Sequence, residues 1–86
     1  LKKYFASGEI NSEVKDKEDK MKELEGTFKG EAKTVSHLDG IKLEFDEWWF
    51  NVRPSNTEPL LRLNLEAKTE EKMEEMRDRI LAIIRR

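Results

Sequence analysis

The sequence predicts an α+β two-layer sandwich, ordered β-α-β-β-β-β-α, with a largely antiparallel sheet and both helices on its single apolar face. Three observations carry this. Apolar residues recur at helical spacing in two segments, one early and one at the C-terminus. Between those segments they alternate with polar residues at period two, the signature of half-buried strands. Short turns connect the last four strands, which favours antiparallel neighbours.

Residues 1–8 carry few core signals and read as a connector or hinge from a preceding domain, leaving 9–86 as a single domain. Ile10, Ser12 and Val14 form a weakly alternating first strand. From 16 to about 29, Met21, Leu24 and Phe28 fall at i, i+3 and i+7 among charged residues, which predicts an amphipathic helix. Asp16 suits its N-cap, Glu18 and Asp19 place negative charge in its first turn, and Gly30 stands where a helix commonly ends. A short strand near 33–37 leads into Asp39-Gly40, which predicts a two-residue type I′ turn with positive φ at both positions.

Ile41, Leu43 and Phe45 then alternate with Lys42, Glu44 and Asp46, and Asp46-Glu47 closes the next hairpin. Trp48, Phe50 and Val52 alternate with Trp49, Asn51 and Arg53, and Leu61, Leu63, Leu65 and Ala67 alternate with Arg62, Asn64 and Glu66. The last helix runs from its cap at Thr69 to the end, with Met73, Met76, Ile80, Ile83 and Ile84 on one stripe. Glu70 and Glu71 complement the positive end of its dipole, and Arg85 and Arg86 are expected to complement the negative end.

The composition bounds the function. A chain of 86 residues is one small domain, too short for a large enclosed active-site cavity. Seventeen Lys and Arg against nineteen Asp and Glu give a net charge of −2, which argues against a general nucleic-acid binder. The absence of cysteine excludes disulfides and thiolate metal ligation, and it fits a reducing, cytoplasmic location. No apolar run approaches the roughly 18 residues of a membrane span, so no membrane partner is expected. The start at Leu1 rather than Met predicts a piece cut from a longer chain. His37 stands alone with no second His or Cys and reads as an ordinary strand-end residue, and Asp46 and Glu47 read as solvated turn residues.

The chemistry concentrates in one irregular segment, Arg53-Pro54-Ser55-Asn56-Thr57-Glu58-Pro59, between two clear strands. Two prolines fix φ at 54 and 59 and push Arg53 and Glu58 toward extended conformations, so the loop should be stiff. A guanidinium, two hydroxyls, a side-chain amide and main-chain N–H groups lie within it, most of them donors suited to one oxyanion. The same residue types also build ordinary turns, and from the residues alone both readings stand.

The run Arg53-Pro54-Ser55-Asn56-Thr57-Glu58-Pro59-Leu60-Leu61-Arg62-Leu63-Asn64-Leu65-Glu66-Ala67 closely resembles the C-terminal phosphate-binding loop and following strand of the α-D-phosphohexomutases, in their phosphomannomutase/phosphoglucomutase branch. Ser7-Gly8-Glu9-Ile10-Asn11 resembles the start of that domain, and Leu38-Asp39-Gly40-Ile41 and Phe45-Asp46-Glu47-Trp48 resemble its central hairpins. The resemblance implies a fourth domain with a TATA-box-binding-protein-like sandwich. It implies that Arg53 is the main charged ligand of the substrate phosphate, that Ser55 and Thr57 donate hydroxyl hydrogen bonds to it, and that Asn56 adds its amide or main-chain N–H. The phosphate held would be the one not being transferred, while a hexose 1-phosphate and its 6-phosphate interconvert through a bisphosphorylated intermediate that turns round in a cleft.

The implied partners are a hexose phosphate substrate and three further domains, which would supply a phosphoserine, an Mg²⁺ loop and a sugar-selecting loop. None of those motifs occurs in this chain, so the domain is expected to hold no cofactor and, alone, to be inactive. Arg62 has no assigned role on these grounds. A reading of a different class is a stand-alone α+β module that contacts RNA or protein through its sheet and Trp49.

Overall fold

The computed structural model describes residues 3–86. Its elements are β1 (Phe5–Ala6), β2 (Ile10–Glu13), α1 (Lys17–Phe28), β3 (Thr34–Ser36), β4 (Ile41–Glu44), β5 (Trp48–Pro54), β6 (Leu60–Ala67) and α2 (Glu70–Ile84). Every strand pair among the described residues is antiparallel, in the order β1-β6-β5-β4-β3, with β2 also on β6. The expected α+β sandwich is therefore the fold.

Alternation does the sorting. Ile41 and Leu43, then Trp48, Phe50 and Val52, then Leu61, Leu63, Leu65 and Ala67 are buried on one sheet face, while the residues between them lie on the other. Leu24 and Phe28 of α1 and Met73, Met76, Ile80, Ile83 and Ile84 of α2 complete the core. Phe28 meets the sheet edge-on, with ring centroids 5.9 Å from Trp48 and 5.5 Å from Phe50, the offset geometry that aromatic quadrupoles favour. Both N-caps form as the sequence expects: Asp16 accepts from the Asp19 N–H at 3.0 Å and Thr69 from the Lys72 N–H at 3.1 Å.

Three details differ from expectation. The segment read as a connector contributes β1, whose Phe5 and Ala6 pair with Ala67 and Glu66; Leu1 and Lys2 lie outside the described residues. Two residues are too short to show a period, and their place is set by main-chain pairing and by Phe5 packing on the core. β1 and β2 lie end to end along β6: from Ala6↔Glu66 to Ile10↔Leu63 their side advances four residues and β6 three. The extra residue is a bulge, and Gly8 takes φ 74° within it.

The second difference is at Asp39-Gly40. The connection from β3 to β4 spans 37–40, and Gly40 alone in it has positive φ (69°), so the two-residue type I′ turn does not form. Ser36 pairs with Lys42, a register that leaves too many residues for a two-residue loop, and Leu38 is 98% exposed at its tip. The loop instead lies against β5. The Asn51 side-chain amide donates to Asp39 O at 3.1 Å and Ile41 O at 3.0 Å.

Third, Arg85 and Arg86 do not complement the C-terminus of α2. Arg85 Nε donates to Ser12 Oγ at 3.0 Å, Arg86 pairs with Glu23, and it is Lys20 of α1 that donates to the Ile83 carbonyl, at 3.0 Å. The helix end is served across the interface rather than locally. No helix among the described residues is long and apolar enough to cross a membrane.

Two predictions test this packing. A Cβ at Gly40 would lie 2.1 Å from Val52 O, whereas one at Gly8 meets nothing within 4 Å, although both have positive φ. Gly8→Ala should cost about 1–2 kcal/mol for its backbone conformation, and Gly40→Ala distinctly more, as read by urea unfolding. Separately, the hydrogen bond from Arg86, then that from Lys20, hold the Glu23 carboxyl below the usual carboxylate range. Because the folded value is depressed, the stabilisation is present above the unfolded pKa and lost as pH falls through the folded one. Wild type and Glu23→Gln should differ in thermal stability at neutral pH and converge in acid.

Candidate functional site

The alternation that builds the core also builds the site. Val52 is buried, so Arg53 next to it emerges on the sheet face opposite the helices; Leu61 and Leu63 are buried, so Arg62 between them does the same. The antiparallel register sets Arg53 directly across from Arg62. Like charges opposite one another on a sheet repel, which is unfavourable unless an anion or carboxylate lies near both. Arg53 Nη1 donates to Asp39 Oδ2 at 3.0 Å. Arg62 Nε is buried and makes no hydrogen bond within the described residues.

Beyond Pro54 the strands part into the loop. Ser55 N–H donates to Leu60 O at 3.1 Å and closes it, and Leu60 N–H donates to Glu58 O at 2.8 Å across Pro59. Ser55 is buried, 6% exposed, and its Oγ accepts from the Glu58 N–H at 3.3 Å, which leaves its hydroxyl proton free to donate elsewhere. Lys17, the first residue of α1, donates from Nζ to Ser55 O at 2.7 Å and Glu58 O at 3.1 Å, and Val14 N–H donates to Pro59 O at 2.9 Å. Asn56 and Thr57 are exposed at the tip.

An open depression of about 400 Å³ is lined by Asp39, Arg53, Pro54, Ser55, Asn56, Thr57 and Arg62. All four residues that the sequence singles out, Arg53, Ser55, Asn56 and Thr57, thus lie together. Two more join them. Asp39 arrives because Gly40 lets its loop lie against β5, and Arg62 arrives through strand register. With two guanidinium groups and one carboxylate the depression carries a local net charge of +1 in an acidic domain.

The family model of the phosphoglucomutase/phosphomannomutase C-terminal domain matches residues 9–83. The chain belongs to that family. A phosphomannomutase of Methanocaldococcus jannaschii is 50% identical over 82 residues, covering 95% of this chain and 18% of the relative. A phosphomannomutase of Escherichia coli K12 is 43% identical over 78 residues, covering 91% of this chain and 17% of its own length. Among solved structures, a phosphoglucomutase/phosphomannomutase family protein from Burkholderia thailandensis superimposes with a TM-score of 0.71 at 25% identity, over 94% of this chain and 17% of that one. The chain therefore spans about a sixth of the length of the relatives it matches. In them the family domain is one part of a larger mutase.

Outside the depression the structure gives the other candidates ordinary surroundings. His37 Nε2 lies 2.7 Å from Glu25 Oε1, tying the 37–40 loop to α1. The Trp49 ring is half-buried and covered by Lys42 Nζ at 4.7 Å from its centroid, so it is not a bare stacking platform. Lys33 Nζ pairs with the turn residue Asp46 at 3.2 Å.

If the Arg53–Arg62 juxtaposition serves a ligand rather than the fold, Arg62→Gln should be nearly neutral for stability in chloride buffer, within about 1 kcal/mol of wild type. Thermal unfolding measures this. A loss of several kcal/mol would make Arg62 a structural residue.

Proposed function

We propose that the depression binds the phosphate group of a hexose phosphate that is not being transferred, within a full-length phosphohexomutase that interconverts hexose 1- and 6-phosphates. The observation that supports this most is the convergence of Arg53 and Arg62, on paired positions of β5 and β6, at the mouth of the 55–59 loop. Two guanidinium planes can donate to several phosphate oxygens at once, and the like-charge repulsion becomes attraction to a shared dianion. Ser55 and Thr57 hydroxyls and the Asn56 amide offer the remaining donors.

Such a site reads phosphate and not sugar. In a reaction whose intermediate must present either end to the chemistry, a grip indifferent to the ring serves both orientations. The contribution of these residues is binding and orientation: a phosphate fixed at one end places the other at a constant distance. Rotation of the domain toward a cleft would help exclude water. Among the described residues no three His, Cys, Asp or Glu side chains are grouped to hold a metal. In this proposal the Mg²⁺ and the phosphoserine belong to other parts of the parent protein, and the chain alone should show no turnover.

Titration of the ¹⁵N-labelled chain with glucose 1-phosphate, glucose 6-phosphate and inorganic phosphate tests the reading. All three should bind with Kd of about 1 mM or weaker, shifting amides at 53–57 and around Arg62. Shifts confined to the Trp49 region, a response to oligonucleotides alone, or no response to any of the three would each overturn it.

A further inference from the structure

The 55–59 loop is polarised. Ser55 O and Glu58 O turn toward Lys17, and Pro59 O toward Val14, so three of its carbonyls face the β2–α1 junction. No peptide bond among the described residues is cis. In a planar trans peptide the C=O and the following N–H point in opposite directions. Holding Ser55 O against Lys17 Nζ at 2.7 Å therefore turns the Asn56 N–H away from α1. Neither the Asn56 nor the Thr57 N–H has a protein acceptor among the described residues, and both residues line the depression.

We propose that Lys17 is a positioning residue for this loop: it touches no ligand, but fixes the Ser55–Asn56 peptide plane so that the Asn56 N–H rather than the Ser55 carbonyl oxygen faces the bound phosphate. The inference rests on the phosphate-binding reading above. The reason for a cation at this position is electrostatic. A flip of the 55–56 peptide would replace a donor by a partially negative oxygen beside an anion, and an ammonium that bonds two carbonyls of one loop opposes that flip more strongly than a neutral donor. Lysine also has the reach: its donors span Ser55 O and Glu58 O while its stem stays half-buried at the start of α1.

A brace that merely holds α1 to the loop would affect stability alone, so the test reads orientation and affinity. In the ligand-free chain, the three-bond HN–Hα coupling of Asn56 and its NOE from the Ser55 Hα, which report φ56 and ψ55 on either side of the peptide plane, should change in Lys17→Met and return in Lys17→Arg, which keeps the donors. Inorganic phosphate should bind Lys17→Met about tenfold more weakly than wild type, with most of the loss recovered in Lys17→Arg. Lys22→Met, which removes the same charge from the same helix without a loop contact, should bind as wild type does. An unchanged Asn56 coupling and NOE, unchanged affinity in Lys17→Met, an equal loss in Lys22→Met, or no recovery in Lys17→Arg would each overturn the proposal. Failure of wild type to bind phosphate would instead overturn the phosphate-binding reading, and the Asn56 coupling and NOE would still decide whether Lys17 orients the peptide.

Discussion

Pairing of β5 with β6, from Trp48↔Ala67 to Pro54↔Leu61, is the constraint from which the rest of the molecule follows. These two strands lie at the centre of the sheet, and their buried side chains are the floor on which both helices pack. Because side chains alternate at period two, the register that points Phe50, Val52, Leu63 and Leu65 at the helices points Arg53 and Arg62 to the other side. A slip of one residue would invert both faces together, exposing the core and burying the guanidinium groups. Stability and the placement of the two guanidinium groups are thus specified by one interaction, and neither can drift without the other.

Local charge and overall charge have opposite signs here. The chain as a whole is mildly acidic, and many of its charged groups are paired or capping: Glu23 with Arg86 and Lys20, Asp16 on α1, Glu25 with His37. Around the depression the balance reverses, and it does so by strand geometry rather than by a basic stretch of sequence. Asp39 moderates the pair of arginines. It gives Arg53 a partner at 3.0 Å on one edge, which keeps two opposed cations tolerable. The placement of Asp39 depends in turn on the close approach of Gly40 to Val52 and on the grip of Asn51.

How much of this the sequence shows depends on the range of the interaction. Helix caps at Asp16 and Thr69 and the apolar stripes are encoded within a few residues, and they stand where the pattern puts them. The loop residues Arg53, Ser55, Asn56 and Thr57 are contiguous, so their clustering was legible too. Arg62 was not, because its place in the depression comes from register: nothing in its neighbours says which residue of β5 will face it. Counting back from the loop on both strands would have suggested it. Lys17 is harder still, since it reaches the loop from an element 38 residues away. The Asp39-Gly40 turn misled for a related reason. A dipeptide preference for type I′ gave way to a pairing register and to packing against β5, both of them tertiary.

The bulge at Gly8 also bears on how copies of the chain meet. One border of the sheet is β3, three residues long; the other is β1 and β2, pieces of two and four residues broken by that bulge. Neither border offers a long, flat row of unpaired main-chain donors and acceptors to an incoming strand. A sheet with so many apolar residues on one face could otherwise recruit a second sheet through its rim. Interrupted borders keep a neighbouring sheet from extending this one strand by strand.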